Sequence, residues 1–399
     1  MRLFPFDAVV FDLDGTLVAT DSFWPDAARA GARQAFAELG LERAPPSAEA
    51  WMSIVGLPSD EGYQRLFPDL DARARDILRE RCEEQEASLL KAGRAALLPG
   101  AAAALEELAR RGVHLGIASN CTGSYLDAML EGLGLARWIG APRCLDSPGV
   151  ACKADMVADL LETFGTRSAV MVGDRAGDRD AAWANGLPHV HLSRGYAEQG
   201  ESVLCEAVID GLDELVACLE RRWSALEGIA SRLPAGNGTI GVTGPPASGK
   251  TLFARDLARV LASRGEAPRV LALEDFRRSE AEAPVDGSDV ETAFDLERFA
   301  AAAAGAPGVR LVVEGPFLAY PALRGALERC VHLFATPDVL LRRLTGRDGR
   351  DGARAIDVGL GRLERDGAFA ARYPRLPLDL EVDASDALRP RVVGEPQAR

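Results

Sequence analysis

The stretch Val9 to Leu17, which reads V-V-F-D-L-D-G-T-L, limits the fold of this chain more than any other. An apolar run that stops at two acids spaced i, i+2, followed by glycine and threonine, is typical of a buried parallel strand that ends in a functional loop. Asp12 and Asp14 would then lie at the carboxyl end of that strand, where open α/β sheets place their ligands. Because a lone D-x-D is also common as an acidic turn, this interpretation depends on partners further along the chain.

Length and composition place the chain among globular proteins. Its 399 residues are enough for two or three domains, and 47% hydrophobic with 27% charged residues is ordinary for a soluble protein. No apolar span of 18 residues is present and the first residues lack the pattern of a signal peptide, so we expect a cytoplasmic protein without a membrane partner. The seven cysteines are scattered and never form C-x-x-C, which favours reduced thiols over a disulfide framework or a zinc site.

The basic residues are informative in two ways. The net charge is −14, and with 23 basic against 24 acidic residues from Pro234 onward, most of it belongs to the first 233 residues. Neither part has the basic field that a nucleic-acid surface needs, so nucleic acid is not expected as a partner. Only three of the 46 basic residues are lysines, namely Lys91, Lys153 and Lys250. Since a guanidinium cannot replace a compact ammonium everywhere, we expect lysine to be kept where a phosphate site requires it.

A helical insertion follows the first strand. Residues 21–93 have Ala, Arg, Glu and Leu at helical spacing, interrupted by Gly and Pro breaks. This segment is too long for a loop, so we predict a small helical domain that covers the site. The aromatic residues Trp24, Trp51, Tyr63 and Phe67 within it either line a pocket or pack the small domain, and packing is favoured.

Further strand ends carry the partners of the two acids. The strand at 113–118 ends in Ser119 and Asn120, which can hydrogen-bond a phosphoryl oxygen, although Asn120 can instead cap the next helix. Lys153 precedes a helix, and the strand at 168–172 runs into G-D-R-A-G-D, which contains Asp174 and Asp178. Carboxylates grouped around one lysine are typical of a Mg²⁺-phosphate site, in which the cation offsets the acids.

These motifs, in this order, resemble the haloacid dehalogenase superfamily of phosphohydrolases, close to the phosphoglycolate phosphatase type, over residues 6–219. The helical insertion resembles the family's C1 cap. The resemblance implies that Asp12 attacks phosphorus and that Asp14 protonates the leaving oxygen and then activates water. It also implies that Mg²⁺ is held by Asp12, the backbone carbonyl of Asp14 and Asp174, with Asp178 supporting it either through those ligands or by direct contact. Ser119 and Lys153 would bind the phosphoryl group.

A second set of motifs begins after a break. We predict that a first domain of residues 1–226, with a core at 1–20 and 94–226, is followed by a linker at 227–238. A strand at 239–242 then leads into G-P-P-A-S-G-K-T and a helix. This strand, loop and helix predict an ATP-binding P-loop whose residues are Gly244, Pro245, Pro246, Ala247, Ser248, Gly249, Lys250 and Thr251. Its backbone amides would receive phosphates, Lys250 would reach the β/γ oxygens, and Thr251 would bind Mg²⁺.

Two more strand ends supply acids behind the P-loop. One ends at Glu274 and Asp275, and another ends at Glu314. One carboxylate can accept a proton from an attacking hydroxyl while another orients Mg²⁺. Arginines after the strand at 330–335 can close over phosphates, although a solvated helix face explains any one of them equally well.

Residues 238–383 resemble the uridine kinase and phosphoribulokinase group of small-molecule P-loop kinases. The residues that carry this resemblance are G-P-P-A-S-G-K-T, L-E-D-F, A-F-D, V-V-E-G and R-R-x-x-x-R-D, with Glu274 standing where the group has aspartate. The resemblance implies that Asp275 is the base, that Glu314 is its acidic neighbour at the metal, and that Arg347 and Arg350 belong to a lid. Residues 384–399 are expected to be disordered.

We therefore predict an α/β chain of two doubly wound, Rossmann-like parallel-sheet domains, the first with a C1 cap and the second with a P-loop NTPase fold at 239–383. The expected function is hydrolysis of a small-molecule phosphate ester and ATP-dependent phosphorylation of a nucleoside-like or sugar-like hydroxyl, with Mg²⁺ and ATP as cofactors. Two alternatives stay open. One is a polynucleotide 5′-kinase/3′-phosphatase, and the other is a phosphatase regulated by a nucleotide-binding module.

Overall fold

A computed structural model of the protein describes residues 4–197, 201, 203–278, 290–304, 308–348, 352–377 and 379–394. The chain divides into two units. The first comprises Phe6 to Cys218, and the second comprises Leu219 to Arg399 together with the residues before Phe6. Each unit is built on its own parallel-dominated sheet, as predicted for an α/β chain.

The sheet of the first unit is parallel in its described part, with the order β3-β2-β1-β4-β5-β6. Its strands are β1 (Ala8–Phe11), β2 (His114–Ala118), β3 (Ala141–Arg143), β4 (Ala169–Gly173), β5 (His189–Leu192) and β6 (Ala207–Ile209). The apolar run A-V-V-F is buried on both faces, which is why β1 lies in the middle of the sheet. Phe11 pairs with Ile117 of β2 and Val172 of β4, so the carboxyl ends of these strands lie side by side.

Helices cover this sheet and form the insertion. The helices of the insertion are α1 (Trp24–Glu38), α2 (Ala48–Met52), α3 (Ser59–Leu66) and α4 (Ala72–Lys91). The helices of the core are α5 (Ala101–Arg110), α6 (Gly123–Gly132), α7 (Lys153–Thr163), α8 (Ala176–Ala184) and α9 (Leu215–Ala230).

The insertion, which we call the cap, has its own apolar core. Trp51 and Phe67 are fully buried in it and Tyr63 is nearly so, whereas Trp24 stays half-exposed. At Gly31 of α1 an added Cβ would lie 2.5 Å from the Cα of Cys82, so only glycine allows α1 and α4 to pack this closely. The aromatic residues of the cap therefore serve mainly in packing.

The sheet of the second unit has the order β12-β11-β10-β7-β9-β8 in the described residues, and only β12 runs antiparallel to its neighbour. Its strands are β7 (Thr239–Thr243), β8 (Pro268–Ala272), β9 (Arg310–Glu314), β10 (Arg329–Phe334), β11 (Leu380–Asp383) and β12 (Arg391–Gly394). Its helices are α10 (Lys250–Ser263), α11 (Val290–Ala293), α12 (Leu296–Ala304), α13 (Pro321–Arg324), α14 (Pro337–Asp348) and α15 (Gly352–Arg372).

The segment expected to be a linker begins later than residue 227. Helix α9 continues to Ala230, and the division between the units falls within it. Ile229, Ala230 and Leu233 are buried in the apolar core of the second unit, together with Leu257 of α10. These apolar positions continue the buried helical face, whereas the Gly, Pro and Ser residues nearby had suggested a loop.

The prediction of a disordered tail from residue 384 is wrong for the part that the structure describes. Ala384 and Leu388 are buried, and β12 pairs with β11 through Val392 opposite Val382. Short apolar pairs in an otherwise polar segment are enough for an edge strand, which needs only one partner. Residues 395–399 lie outside the described residues.

No helix in the described part of the chain has the length and the apolar character needed to cross a membrane. The seven cysteines, all of which lie in the described part of the chain, form no disulfide bond there.

Candidate active sites

The first site lies at the carboxyl ends of β1, β2 and β4. Asp12 follows β1, Ser119 follows β2 and Asp174 follows β4, while Lys153 begins α7 beside them. All four side chains are buried. The parallel register of the three strands brings these separate sequence positions to one edge of the sheet.

Lys153 lies between two carboxylates. Its Nζ donates to Asp12 Oδ1 and to Asp178 Oδ1, each at 2.7 Å. Asp12 Oδ2 is buried and has no hydrogen-bond partner among the described residues. Burial raises the pKa of Asp12, while the Lys153 ammonium opposes that rise. Asp12 therefore presents one bound oxygen and one oxygen that is available to a substrate or a cation.

A group of three aspartates forms a candidate metal centre. Asp12, Asp174 and Asp178 each offer an oxygen, and these oxygens lie within 4.8 Å of one another. Thr16 Oγ1 donates to Asp174 Oδ1 at 3.2 Å, and the backbone N–H of Tyr196 donates to the other oxygen. Burial and the charge of Asp178 raise the pKa of Asp174 to about 7. Hard carboxylate oxygens fit Mg²⁺, and one of them, Asp12 Oδ2, has no hydrogen-bond partner among the residues that the structure describes.

Asp14 is held by two hydroxyl groups. Thr20 Oγ1 and Tyr125 Oη each donate to Asp14 Oδ1 at 2.6 Å. Burial raises the pKa of Asp14, and these two hydrogen bonds oppose the rise. Asp14 therefore has a fixed orientation and a raised pKa, which suits a group that gives and takes a proton.

The cap touches the sheet core beside this site. Asn120 Nδ2 donates to the backbone carbonyl of Gly56 at 2.9 Å, so part of its amide is used for the cap rather than for a phosphoryl oxygen. Arg175 donates to the carbonyl of Val55 at 2.6 Å and pairs with Glu201 at 2.9 Å. The turn at residues 55–56 is thus fixed over the carboxyl edge of the sheet.

Sequence reasoning missed several of these contacts. Thr20, Tyr125 and Arg175 hold the site, yet none of them was singled out as a site residue. Tyr125 is 111 positions from Asp14, and no local pattern connects the two. Arg175 did lie within the recognised G-D-R-A-G-D segment, so its position next to Asp174 was the available signal.

The second site lies where β7 passes into α10. Residues 244–249 form the connecting loop, and α10 begins at Lys250. Gly244 has φ +148°, and an added Cβ would lie 2.2 Å from the carbonyl oxygen of Leu333, so no other residue fits there. Ala247 and Gly249 also have positive φ angles, of 60° and 85°. Positive φ angles in a loop that leads into a helix N-terminus are also found in loops whose backbone N–H groups bind an anion.

The side chains of Ser248 and Lys250 differ in their hydrogen bonding. Ser248 Oγ is buried and has no hydrogen-bond partner among the described residues. Lys250 Nζ donates to the carbonyl of Pro245 at 2.8 Å, folded back onto its own loop. Arg343 of α14 donates to the carbonyl of Ala247 at 3.4 Å. Asp366 of α15, which sequence reasoning did not identify, has its pKa raised by burial and lowered in part by Lys250.

The acids at the ends of β8 and β9 lie in different surroundings. Glu314 is buried and accepts a hydrogen bond of 3.0 Å from Thr251 Oγ1. Burial raises the pKa of Glu314, and the charge of Asp275 raises it further. Asp275 itself is exposed. Arg350 and the side chain of Arg347 lie outside the described residues.

A cluster of Cys330, His332 and Asp379 also has metal-ligating groups within 4.8 Å of one another. Asp379 accepts hydrogen bonds from the backbone N–H groups of Cys330 and Leu376, and it is bonded to Arg324 and His332. The guanidinium already neutralises this buried carboxylate. We therefore assign the cluster to joining β10 and α13 to the start of β11.

Comparisons with known proteins agree with the first site. Residues 6–186 match the haloacid dehalogenase-like hydrolase family. A phosphoglycolate phosphatase of Rhodospirillum rubrum is 35% identical over 208 residues, which are 48% of this chain and 81% of that protein. A phosphoglycolate phosphatase of Yersinia pseudotuberculosis serotype I is 31% identical over 205 residues, 49% of this chain and 84% of that protein. A cytidylate kinase of Pyrobaculum arsenaticum is 37% identical over 122 residues, 28% of this chain and 61% of that protein.

Proposed function

The chain belongs, through residues 6–186, to the haloacid dehalogenase-like hydrolases, and from this we propose that its first unit hydrolyses small-molecule phosphomonoesters by way of a phosphoryl group on Asp12. The observation that carries the proposal is Asp12 Oδ2, which has no hydrogen-bond partner in the described part of the chain, next to an Asp12 Oδ1 that Lys153 holds at 2.7 Å. A carboxylate fixed in this way is a suitable nucleophile.

In the proposed reaction Asp12 forms the bond to phosphorus and Asp14 transfers the protons. An oxygen of Asp12 bonds to phosphorus while the ester P–O bond breaks, and the leaving oxygen takes a proton from Asp14. A water molecule then gives a proton to Asp14, and its oxygen bonds to phosphorus while the bond between phosphorus and the Asp12 oxygen breaks, which releases inorganic phosphate and restores Asp12. The two hydroxyls that hold Asp14 keep its carboxyl group in one orientation for both proton transfers.

Asp12, Asp174 and Asp178 would hold Mg²⁺ at this site. When bound, the cation would offset the negative charge of the phosphoryl oxygens and of the carboxylates. Lys153 supplies positive charge from the protein itself and screens Asp12 from the approaching phosphate.

The test is release of inorganic phosphate from p-nitrophenyl phosphate and a panel of sugar and polyol phosphates. Asp12→Asn should lower the rate at least about 1,000-fold, as loss of a covalent nucleophile does. Asp26→Asn, at an exposed position in the cap, is the matched control and should keep the rate. Removing Mg²⁺ with a chelator should stop turnover, and re-addition should restore it. Full turnover by Asp12→Asn would refute the proposal.

For the second unit, we propose ATP-dependent phosphorylation of a hydroxyl group on a small, nucleoside-like or sugar-like molecule. Support comes from the strand, loop and helix at 239–263 and from the hydrogen bond between Thr251 and Glu314. It also comes from the buried Ser248 hydroxyl, which has no partner within the described ranges. In this proposal the loop amides and Lys250 bind the ATP phosphates. Thr251 and Glu314 would hold Mg²⁺, which would offset charge on those phosphates.

Asp275 is the proposed base for the acceptor. It is exposed at the end of β8, where an acceptor could reach it, and its charge acts on Glu314. The hydroxyl would give its proton to Asp275 while its oxygen bonds to the γ-phosphorus and the bond to the β-phosphate oxygen breaks, which releases ADP. Lid arginines at 347 and 350 remain part of the proposal.

The test is transfer of radiolabel from γ-labelled ATP to nucleosides, pentoses and a 5′-hydroxyl oligonucleotide. Lys250→Ala should abolish transfer, whereas Lys91→Ala, which removes an exposed lysine at the end of α4, should not. Nucleotide binding without transfer to any acceptor would refute the kinase proposal. Transfer to the oligonucleotide alone would refute the small-molecule acceptor.

A further inference from the structure

Two side chains of the core hold one turn of the cap, residues 55–56, which we call the cap turn. Arg175 donates to the carbonyl of Val55 at 2.6 Å, and Asn120 Nδ2 donates to the carbonyl of Gly56 at 2.9 Å. Each of the two donors directly follows a residue of the first site in the sequence. The strand ends that supply the site therefore also hold the cap.

The sheet order places the cap turn across the end of β1. Strand β1 lies between β2 and β4, and in the register of these strands Asn120 and Arg175 each lie two residues beyond the position level with Asp12. Neighbouring strands are about 4.8 Å apart, so the two donors come from strand ends about 10 Å apart, with β1 between them. A turn that is bonded to both donors must pass over the end of β1. Asp12, which follows β1, is only 2% exposed.

The contact with Arg175 is fixed from both sides. On the core side, Arg175 Nε donates to Glu201 at 2.9 Å, and Glu201 also accepts from the backbone N–H of Ala176 at 2.6 Å. On the cap side, Gly56 has φ +86°, and an added Cβ would lie 3.4 Å from Cγ of Arg175. The cap turn therefore packs on the aliphatic stem of the arginine, in a backbone conformation that favours glycine.

The two connections between the cap and the core lie side by side. Val18 and Leu97 form a β-bridge, and the backbone N–H of Ala19 donates to the carbonyl of Ala96 at 2.9 Å. Neighbouring chain segments of this kind are typical of hinges. A rotation of the cap about these segments would lift the cap turn and break both of its bonds to the core.

We propose that Arg175 and Asn120 are positioning residues that hold the cap turn over Asp12, so that the first unit selects phosphate esters by the size of their alcohol. This inference rests on the proposed function of the first unit. An ester of a small alcohol fits beneath the cap turn, whereas a bulky alcohol reaches Asp12 only when both bonds break. Asn120, which the sequence suggested as a phosphoryl ligand, acts through the cap turn instead.

Two nitrophenyl phosphates of matched reactivity test the proposal on the full chain with Mg²⁺. Both carry an amide on the ring, and this amide bears a methyl group in one ester and a branched polyethylene glycol in the other. The two leaving groups have the same electronic character, so a difference in kcat/KM measures access to Asp12. We expect kcat/KM of the wild-type protein to be at least about tenfold higher for the methylamide ester.

The residue assignment is tested by Arg175→Met, which keeps an apolar stem and removes the guanidinium. The ratio of the two kcat/KM values should fall at least about threefold, because the bulky ester gains relative to the small one. Asn120→Ala should lower the ratio in the same direction, and Arg175→Lys, which keeps a cationic donor, should lower it less than Arg175→Met. Arg167→Met is the matched control, since Arg167 is exposed in the same core, and it should keep the wild-type ratio.

A residue that only supports the fold would change both rates by the same factor. An unchanged ratio in Arg175→Met and Asn120→Ala would therefore overturn the positioning role. The wild-type ratio tests the selection by size even if a variant does not fold. Equal kcat/KM values for the two esters, with turnover that depends on Asp12, would overturn this inference and leave the proposed function intact. Failure to hydrolyse either ester would remove the proposed function and the inference together.

Discussion

Lys153 Nζ lies 2.7 Å from Asp12 Oδ1, and both side chains are buried. The same ammonium offsets Asp178, so Lys153→Met would leave two buried carboxylates without their counter-charge. We expect the free energy of unfolding to fall by about 3 kcal/mol in the absence of metal, because an unpaired buried charge is costly. Phosphatase turnover should fall at least about 100-fold. Lys91→Met is the control for urea unfolding and for phosphate release, and equal behaviour of the two variants would contradict the assignment.

The Asp174 carboxyl group makes stability depend on pH. Its pKa is about 7 in the folded protein, against a model-compound value of 3.8. The folded state therefore keeps a proton that the unfolded state loses, so this contribution to stability is complete below about pH 4 and is lost as pH rises through 7. Without metal, the free energy of unfolding should fall by about 2 to 3 kcal/mol from pH 5 to pH 8.

Urea unfolding at both pH values, with a chelator or with Mg²⁺, measures this effect. Asp174→Asn removes the titrating carboxyl group. In the absence of metal, its free energy of unfolding should therefore change less between pH 5 and pH 8. Mg²⁺ should restore stability to the wild-type protein at pH 8 because it binds the ionised carboxylate. The same slope in the wild type and in Asp174→Asn would contradict the assignment.

Tyr125→Phe should slow the hydrolysis of an ester more strongly when its leaving group must be protonated. The variant loses one of the two hydrogen bonds that orient Asp14. Turnover of an alkyl ester such as glycerol 1-phosphate should fall about tenfold, because an alkoxide must be protonated as it leaves. p-Nitrophenyl phosphate should lose less than about threefold, since nitrophenolate leaves without a proton.

Tyr196→Phe is the control for this experiment, because the Tyr196 hydroxyl bonds to Asp21 and not to Asp14. Equal losses on both esters in Tyr125→Phe would indicate a structural role only. Steady-state phosphate release over a range of substrate concentrations separates kcat from KM.

Two glycines of the second site should differ in their sensitivity to alanine. At Gly244 a Cβ would meet the Leu333 carbonyl oxygen at 2.2 Å, whereas at Gly249 nothing lies within 4 Å. Gly249→Ala should cost about 1 kcal/mol, the strain of a left-handed residue. Gly244→Ala should cost about 3 kcal/mol, because a backbone clash is added to that strain. Thermal unfolding of the full chain measures which variant is less stable. A larger loss of stability in Gly249→Ala than in Gly244→Ala would contradict the loop geometry.

The motif residues of the first site could be predicted because each follows a buried strand of a parallel sheet. The apolar strand identifies the edge, and the acid after it identifies the site, as for Asp12 and Asp174. Tyr125 could not be predicted in this way. It is a helix residue 111 positions from Asp14, and no short pattern in the sequence records that the two side chains meet.

The errors at the chain's later boundaries have a similar origin. Ile229 and Leu233 are buried by a core that forms only when residues far along the chain, such as Leu257, come together. Gly228, Pro234, Gly236 and Gly238, which lie on either side of them, resemble a linker locally. The edge strand β12 was not predicted because its few apolar residues form no strand pattern of their own. They are ordered by pairing with β11.

The pairing of β12 with β11 determines how the second unit can be shortened for laboratory work. Ending the protein at Asp383, where the motifs stop, would strip the outer strand and leave the N–H and C=O groups of β11 open along one border. An exposed edge of this kind can pair with strands of other chains. We therefore expect the shortened protein to aggregate, even though every proposed ligand-binding residue is still present. Recombinant fragments of this unit should therefore retain residues 384–394.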